Sequence, residues 1–261
     1  MKRSRDPISL QNAPVALVLA QVRVSPVEAM ENYVPVIQER LRKVGFPEMR
    51  ETQIHNQFVV EGKPVAERRA TQWEFVNKAN TSMIQLNLDA ITVQTTEYTC
   101  FEDLEETFRL AVETLHEVVS PSQVHRYGLR YVNVIPIGFD SSFVQWIQPH
   151  LLGHPNLPNA DRIGSFSETV MITELSSRLV TRCITMHAGM PIPADLMPCN
   201  LKLPFDVPFN QPFAILDNDH GRIGPEDFNP VTAVEAIAGL HNLLDLAFRT
   251  SITEYALEKW K

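Results

Sequence analysis

Apolar and polar positions alternate along this chain with two periods, one of strands and one of helices, and the switches between them outline the elements. Residues 15–24 are nearly all apolar, with Arg23 near the end, and read as a buried strand. Ser25-Pro26-Val27-Glu28 follows as a capping-box signature, with serine as N-cap, proline at the first helical position and glutamate at the third. The helix it predicts runs to about Val44, where Gly45 can supply the left-handed closing residue, and Pro35 predicts a kink or break within it.

Residues 51–60, 71–77 and 82–97 read as strands, with a turn at Glu61-Gly62-Lys63-Pro64. Ile84, Leu86 and Leu88 alternate against Gln85, Asn87 and Asp89, but after Ala90 the apolar set becomes Ile91 and Val93. A one-residue shift of parity reverses the faces, so a tight turn or bulge is expected near Asp89-Ala90. Thr99-Cys100-Phe101-Glu102 is a second capping box, and Leu104, Phe108, Ala111, Leu115 and Val118 keep helical spacing up to Ser120-Pro121.

The next strand, 124–137, organises the chain. It carries Arg126 and Arg130 on the face of Gly128, and Tyr127, Leu129 and Tyr131 on the other. Residues 136–159 form a boundary rich in Pro, Gly, Ser and Asn, with a short helix near 143–152. Strands are then expected at 166–175 and 178–187, joined by Ser176-Ser177, followed by a proline-rich loop at 190–198 and apolar strand candidates at 201–209 and 213–217. Asn229-Pro230 opens a helix striped by Val234, Ile237, Leu240, Leu244 and Phe248, and Ser251-Ile252-Thr253-Glu254 is a third capping box before a final short helix.

The fold class is α+β: mostly antiparallel or mixed sheets covered by long helices. An N-terminal half, 1–138, and a C-terminal half, 139–261, are expected to pack as one unit. The halves rhyme, because each carries Leu-His within a helix stripe, Leu115-His116 and Leu240-His241, which points to an internal duplication.

Composition narrows the function classes. The chain has 261 residues, 44% hydrophobic and 21% charged, as in a soluble globular protein with a sizeable core. Lys+Arg 23 against Asp+Glu 31 leaves a net charge of −8, which disfavours a surface that coats nucleic acid. The basic start Met1-Lys2-Arg3-Ser4-Arg5 reads as a solvated tail. No run is expected to span a membrane. Cys100, Cys183 and Cys199 are far apart and lack metal or redox spacing, which points to free thiols in a reducing cytoplasm.

Candidate chemistry gathers at three places. Arg23, Arg126, Arg130 and Tyr131 could bind an anion or a partner through the guanidinium fork, against the alternative of ion pairs to Glu74, Asp89 or Glu168. The run Phe213-Ala214-Ile215-Leu216-Asp217-Asn218-Asp219-His220-Gly221 ends an apolar strand in Asp-x-Asp. It resembles the nucleophile motif of haloacid-dehalogenase-like phosphatases, in which the first Asp attacks phosphorus beside Mg²⁺. Here His220-Gly221 stands where that motif continues with Gly-Thr or a similar pair. Asp217, Asp219 and His220 are also the metal candidates, with a polar strand-to-turn junction as the plainer reading. His150 and His154 have i, i+4 spacing and would share a helix face.

Nucleophile elbows, phosphate loops, dinucleotide fingerprints and His-Glu-x-x-His are missing from the sequence, so no cofactor is expected.

Three stretches taken together resemble an uncharacterised, sporadically distributed bacterial protein family: Leu10-Gln11-Asn12-Ala13-Pro14, then Gly128-Leu129-Arg130-Tyr131-Val132-Asn133, then Leu240-His241 with Phe248 and Ser251-Ile252-Thr253. The family's first strand continues after Ala-Pro with a polar or acidic residue, where this chain has Val15-Ala16-Leu17. The resemblance implies an accessory of toxin–antitoxin or phage-defence cassettes. The leading expectation is a non-enzymatic binding or regulatory protein of the bacterial cytoplasm that engages a protein partner, with homodimerisation open and the aromatic C-terminal residues Phe248, Tyr255 and Trp260 available for burial or docking. A metal-dependent phosphoester or small-molecule enzyme using Asp217 and Asp219 is one alternative. A nucleic-acid-binding component using Arg23, Arg126 and Arg130 is the other.

Overall fold

The apolar run that opens the chain becomes the middle strand of a single sheet. A computed structural model describes residues 12–60, 63–154, 157–173 and 177–261, and for 54–60 and 63–70 the backbone alone. The basic start 1–5, the Leu10-Gln11 part of the family resemblance, Glu61 and Gly62 of the expected turn, Pro155 after the second histidine, and Ser176 with the end of the strand expected at 166–175 lie outside the described residues.

The strands are β1 (Val15–Val24), β2 (Glu48–Val60), β3 (Lys63–Val76), β4 (Ser82–Leu86), β5 (Ala90–Thr95), β6 (Gln123–Pro136), β7 (Gly164–Ile172), β8 (Arg178–Met186) and β9 (Phe213–Asp227). They form one nine-stranded sheet in the order β2-β3-β4-β5-β1-β6-β9-β8-β7, with every pairing antiparallel. Several sheets were expected; one is found, because β6 joins both halves by pairing with β1 on one side and β9 on the other. β3 pairs with β4 only from Trp73 to Val76, while its ladder with β2 runs on to Val60 and Lys63, so the β2–β3 hairpin extends past the sheet as an arm.

The helices are α1 (Val34–Lys43), α2 (Phe101–Val119), α3 (Phe143–Trp146), α4 (Pro230–Ser251) and α5 (Glu254–Trp260). The helix expected from Ser25 starts later. Ser25 and Val27 donate backbone N–H groups to Gln123 and Leu88, so this segment closes the end of the sheet, and Pro35 lies in the first turn of α1 rather than kinking a longer helix. Gly45 has a φ of +107° at the end of α1, as the C-terminal glycine predicts. α5 is capped by Thr253 rather than Ser251, through a bond from the Ala256 N–H.

One face of the sheet is covered by α1, α2 and α4. Val18, Ala20 and Val22 of β1, Ile91 and Val93 of β5, and Tyr127 and Leu129 of β6 meet Phe108, Leu115, Ile237 and Leu244 there. By length and composition alone α4 is apolar enough to cross a membrane, which the sequence reading does not anticipate. Its stripe of Val234, Ile237, Leu240 and Leu244 belongs to this core. The opposite face is covered at one end by residues 187–212, whose Ile192, Leu201 and Phe209 pack on Leu17, Val132 and Phe213. The strand expected at 201–209 is irregular loop instead; Pro204 and Pro208 deny it a ladder, and its apolar residues serve as a lid on the sheet. α3 and α5 close the C-terminal corner around Ile147, Ile252 and Trp260. Phe248 and Trp260 stack internally, and Trp146 packs against both Tyr255 and Trp260, so most of the aromatic C-terminal segment is used for burial.

Candidate functional site: the helix-free face of the sheet

Antiparallel register decides which side chains share the helix-free face, because directly paired residues point to the same side. One transverse row crosses all nine strands: Arg50, Glu74, Gln85, Thr92, Gln21, Gly128, Gly221, Arg178 and Ile172. Its neighbours place Arg23 opposite Arg126, Arg130 opposite Asp219, and Arg182 opposite Asp217 and Glu168. The arginines of β6 and the acidic run of β9, two separate candidates in the sequence, therefore meet in one network.

Asp217 lies at its centre. It is buried, with 0% of its surface exposed, yet sits in mid-strand. Arg130 grips it bidentately, Nε to Oδ1 at 2.7 Å and Nη2 to Oδ2 at 2.8 Å, and Arg182 Nη1 reaches Oδ2 at 3.1 Å. Arg130 also bonds Asp195 of the 187–212 segment at 2.6 and 3.2 Å, so one guanidinium ties the sheet to its lid. Burial opposes the Arg130 charge, but the bonds it donates to Asp217 and Asp195 outweigh it and raise its pKa, while the bond from Arg130 holds Asp195 below its ordinary value. Arg182 completes the network through Glu168 at 2.7 Å.

The strand expected to stop at Asp217 continues to Asp227, so Asp217 to His220 are not a strand-to-turn junction. The charged and histidine side chains of the run have partners that make a strand interior tolerable, whereas the buried Asn218 amide nitrogen has no hydrogen-bond partner. Asp219 takes Arg126 at 3.2 Å. His220 points to the other face, where its Nδ1 lies 3.0 Å from the Leu240 carbonyl and its Nε2 3.0 Å from Ser177 Oγ. Asp217 and Asp219 thus share a face and His220 does not. Both oxygens of Asp217 are engaged by guanidinium groups, and the described residues hold no cluster of three or more His, Cys, Asp or Glu arranged for a metal.

The remaining candidates separate in the same way. Arg23 pairs with Asp89 at 2.9 Å, one of the carboxylates expected from sequence. Glu168 pairs with Arg182 instead, and buried Glu74 accepts from Gln72 and Asn200. Tyr131 lies on the helix side, its hydroxyl 3.2 Å from His241 Nδ1 and 3.3 Å from the Tyr98 hydroxyl. Burial raises the Tyr131 pKa and pushes Tyr98 up to about 12. His150 falls in a short 3₁₀ turn, Pro149–Leu151, and His154 lies beyond it, past Gly153 with its φ of +72°, so the two do not share the helical face that their spacing suggested.

Sequence reasoning did not single out the glycines. Arg126 lies across Gly128 and Gly221, which are paired with each other. A Cβ on Gly128 would stand 2.8 Å from Arg126 Nη1, and one on Gly221 would stand 2.9 Å from Nη2. A glycine inside a strand marks a close approach, and here the approaching group is a guanidinium. Sequence reasoning also missed the apolar rim of the face. Phe166, Val170 and Ile172 of β7 and Ile223 of β9 are 62, 46, 77 and 71% exposed, all on the helix-free side. No family model and no curated protein matches the chain.

Proposed function

We propose that the chain is a non-enzymatic binding protein that engages a protein partner through β7 and the helix-free face beside it. The observation that carries this reading is the row Phe166, Val170 and Ile172, exposed on a terminal strand with no neighbour on its outer side among the described residues. β7 has none of the usual protection of an edge: no proline, no lysine, and one charge, Glu168, already engaged by Arg182. Exposed aliphatic and aromatic side chains grouped on an edge, with arginine alongside, fit a surface that a partner covers. The resemblance described above supports a bacterial cytoplasmic accessory of toxin–antitoxin or phage-defence type, and three free cysteines are in keeping with a reducing compartment.

Affinity capture from the native host, with wild type and Ile172→Asp run side by side, tests the proposal. Wild type should recover a stoichiometric protein that the variant loses. Equal recovery by both, or recovery of nothing with neighbouring genes expressed, would count against it.

We also infer that the sheet descends from two related halves. Outward from the centre, β1, β5, β4 and β3 lie on one side and β6, β9, β8 and β7 on the other, with α2 following β5 and α4 following β9. On this reading the halves divide between α2 and β6, earlier than residue 138.

A further inference from the structure

Arg23 and Arg126 stand directly opposite each other on one face, an arrangement that costs stability unless the charges are neutralised. Arg23 is neutralised by Asp89 at 2.9 Å. Arg126 is served less well: its contacts are 3.2 and 3.5 Å to Asp219 and 3.4 Å to Gln21, against 2.6 to 2.8 Å for the shortest bonds of Arg130. One third of its side chain is open to solvent. The paired glycines leave no side-chain wall around it. The next residue in the same row, across Gly221, is Arg178, which is exposed and has no carboxylate partner among the described residues. Beyond Arg178 the row ends in exposed Ile172, and Ile223 flanks it on β9.

We infer that this platform receives side chains from an extended segment of the protein partner in which acidic and apolar residues take turns at every second position, the positions that face the sheet. Its carboxylates bond Arg126 and Arg178, and its apolar side chains cover Ile172 and Ile223. The inference rests on the partner surface proposed above and adds the chemistry of the partner. A carboxylate matches the planar guanidinium fork in two parallel bonds. The spacing follows from the extended segment, whose side chains reach one face only at every second residue, so the residues between its contacts point away from the sheet. In a chain of net charge −8 these two arginines do not steer an acidic partner from afar; they fix its register once it is in contact. Nucleic acid fits the patch less well. Phosphate backbones draw on many cationic contacts and single strands on aromatic stacking platforms, whereas this patch offers two arginines and aliphatic rims.

Fluorescence anisotropy with the full chain tests the inference, using labelled synthetic peptides built on the repeats Glu-Ser-Val-Ser (Glu/Val), Ser-Ser-Val-Ser (Ser/Val) or Lys-Ser-Val-Ser (Lys/Val), together with a short single-stranded oligonucleotide. The Glu/Val peptide should bind about tenfold more tightly than the Ser/Val peptide, with affinity that falls as salt rises. Arg126→Gln and Arg178→Gln should each weaken it about tenfold toward the Ser/Val level, and Arg178, being exposed, can be replaced without disturbing the fold. Equal affinity for the Glu/Val and Ser/Val peptides with both variants unchanged would overturn the inference. Tighter binding of the oligonucleotide than of the Glu/Val peptide would overturn it in favour of nucleic acid. If no peptide binds while Ile172→Asp still abolishes capture of the native partner, the acidic assignment alone fails. If capture is also indifferent to Ile172→Asp, the surface itself is wrong.

Discussion

His241 of α4 stacks on Phe101 at the start of α2, with ring centroids 4.1 Å apart and planes 6° from parallel. The contact has a reciprocal. His116 of α2 stacks on Phe228, just before α4, at 5.9 Å and 20°. Each helix thus lays a histidine over an aromatic ring at or just before the start of the other.

His241 makes the first prediction. Burial lowers its pKa, partly offset by Asp245 and Glu102, with Arg249 acting in the same direction as burial. A histidine with a lower pKa folded than unfolded binds fewer protons in the native state. Its contribution is therefore complete above about pH 6.5 and declines as the pH falls below that value. The melting temperature of wild type should drop more steeply on acidification from neutral pH than that of His241→Gln. Parallel profiles would show that the histidine is not the responsible group.

The second prediction concerns Asp217. Removing a buried carboxylate leaves Arg130 and Arg182 without their shared counter-charge. Asp217→Ala should destabilise the protein by about 3–5 kcal/mol in urea unfolding. The double variant Arg130→Met/Asp217→Leu should recover a good part of that loss, because an apolar pair does not need the counter-charge. Additive losses in the double variant would argue against a coupled pair.

Two glycines of the sheet should respond differently to alanine. At Gly224 the new Cβ would meet the Val124 carbonyl oxygen at 2.4 Å, and backbone cannot step aside. At Gly128 the nearest group is the far end of the Arg126 side chain, which can. Gly224→Ala should cost about 2 kcal/mol or more and Gly128→Ala about 1 kcal/mol or less, measured by denaturant unfolding. The reverse order would refute the placement of Arg126.

Asp195 is the latch between lid and sheet. Its side chain is largely exposed, so Asp195→Ala should change global stability by less than about 1 kcal/mol. Amide hydrogen exchange in 187–212 should nevertheless accelerate, with β9 unaffected. Because Arg130 lowers the Asp195 pKa, wild type should lose the latch only as the pH falls below the ordinary carboxylate value of about 3.9. Uniform exchange in wild type and variant would mean that the apolar contacts of Ile192, Leu201 and Phe209 hold the lid alone.

Local patterns were legible where side chains answer to their own neighbours. The apolar run of β1 is found at the expected residues, and the parity change at Asp89-Ala90 is the turn between β4 and β5, closed by Asn87 N–H to the Ala90 carbonyl at 2.8 Å. The Asn229 cap is present, with Oδ1 accepting from Val231 and Thr232. Polar residues at Asp217 to His220 read as a turn because their partners, Arg130, Arg182, Arg126 and Ser177, lie tens of residues away. The residues at 201–209 read as a strand because a lid and a strand bury the same apolar side chains.

The sequence by itself determined the α+β class, the periods of the elements and the two faces of β6, since these depend on spacing within a few residues. Only the tertiary structure decided that one antiparallel sheet unites the chain, that Arg130 and Asp217 neutralise each other, and that Arg126 rests on a glycine pair beside an exposed apolar edge. Those outcomes depend on strand order and register. Both are set by which distant apolar faces bury together and by the penalty for leaving a charge buried without its counterpart.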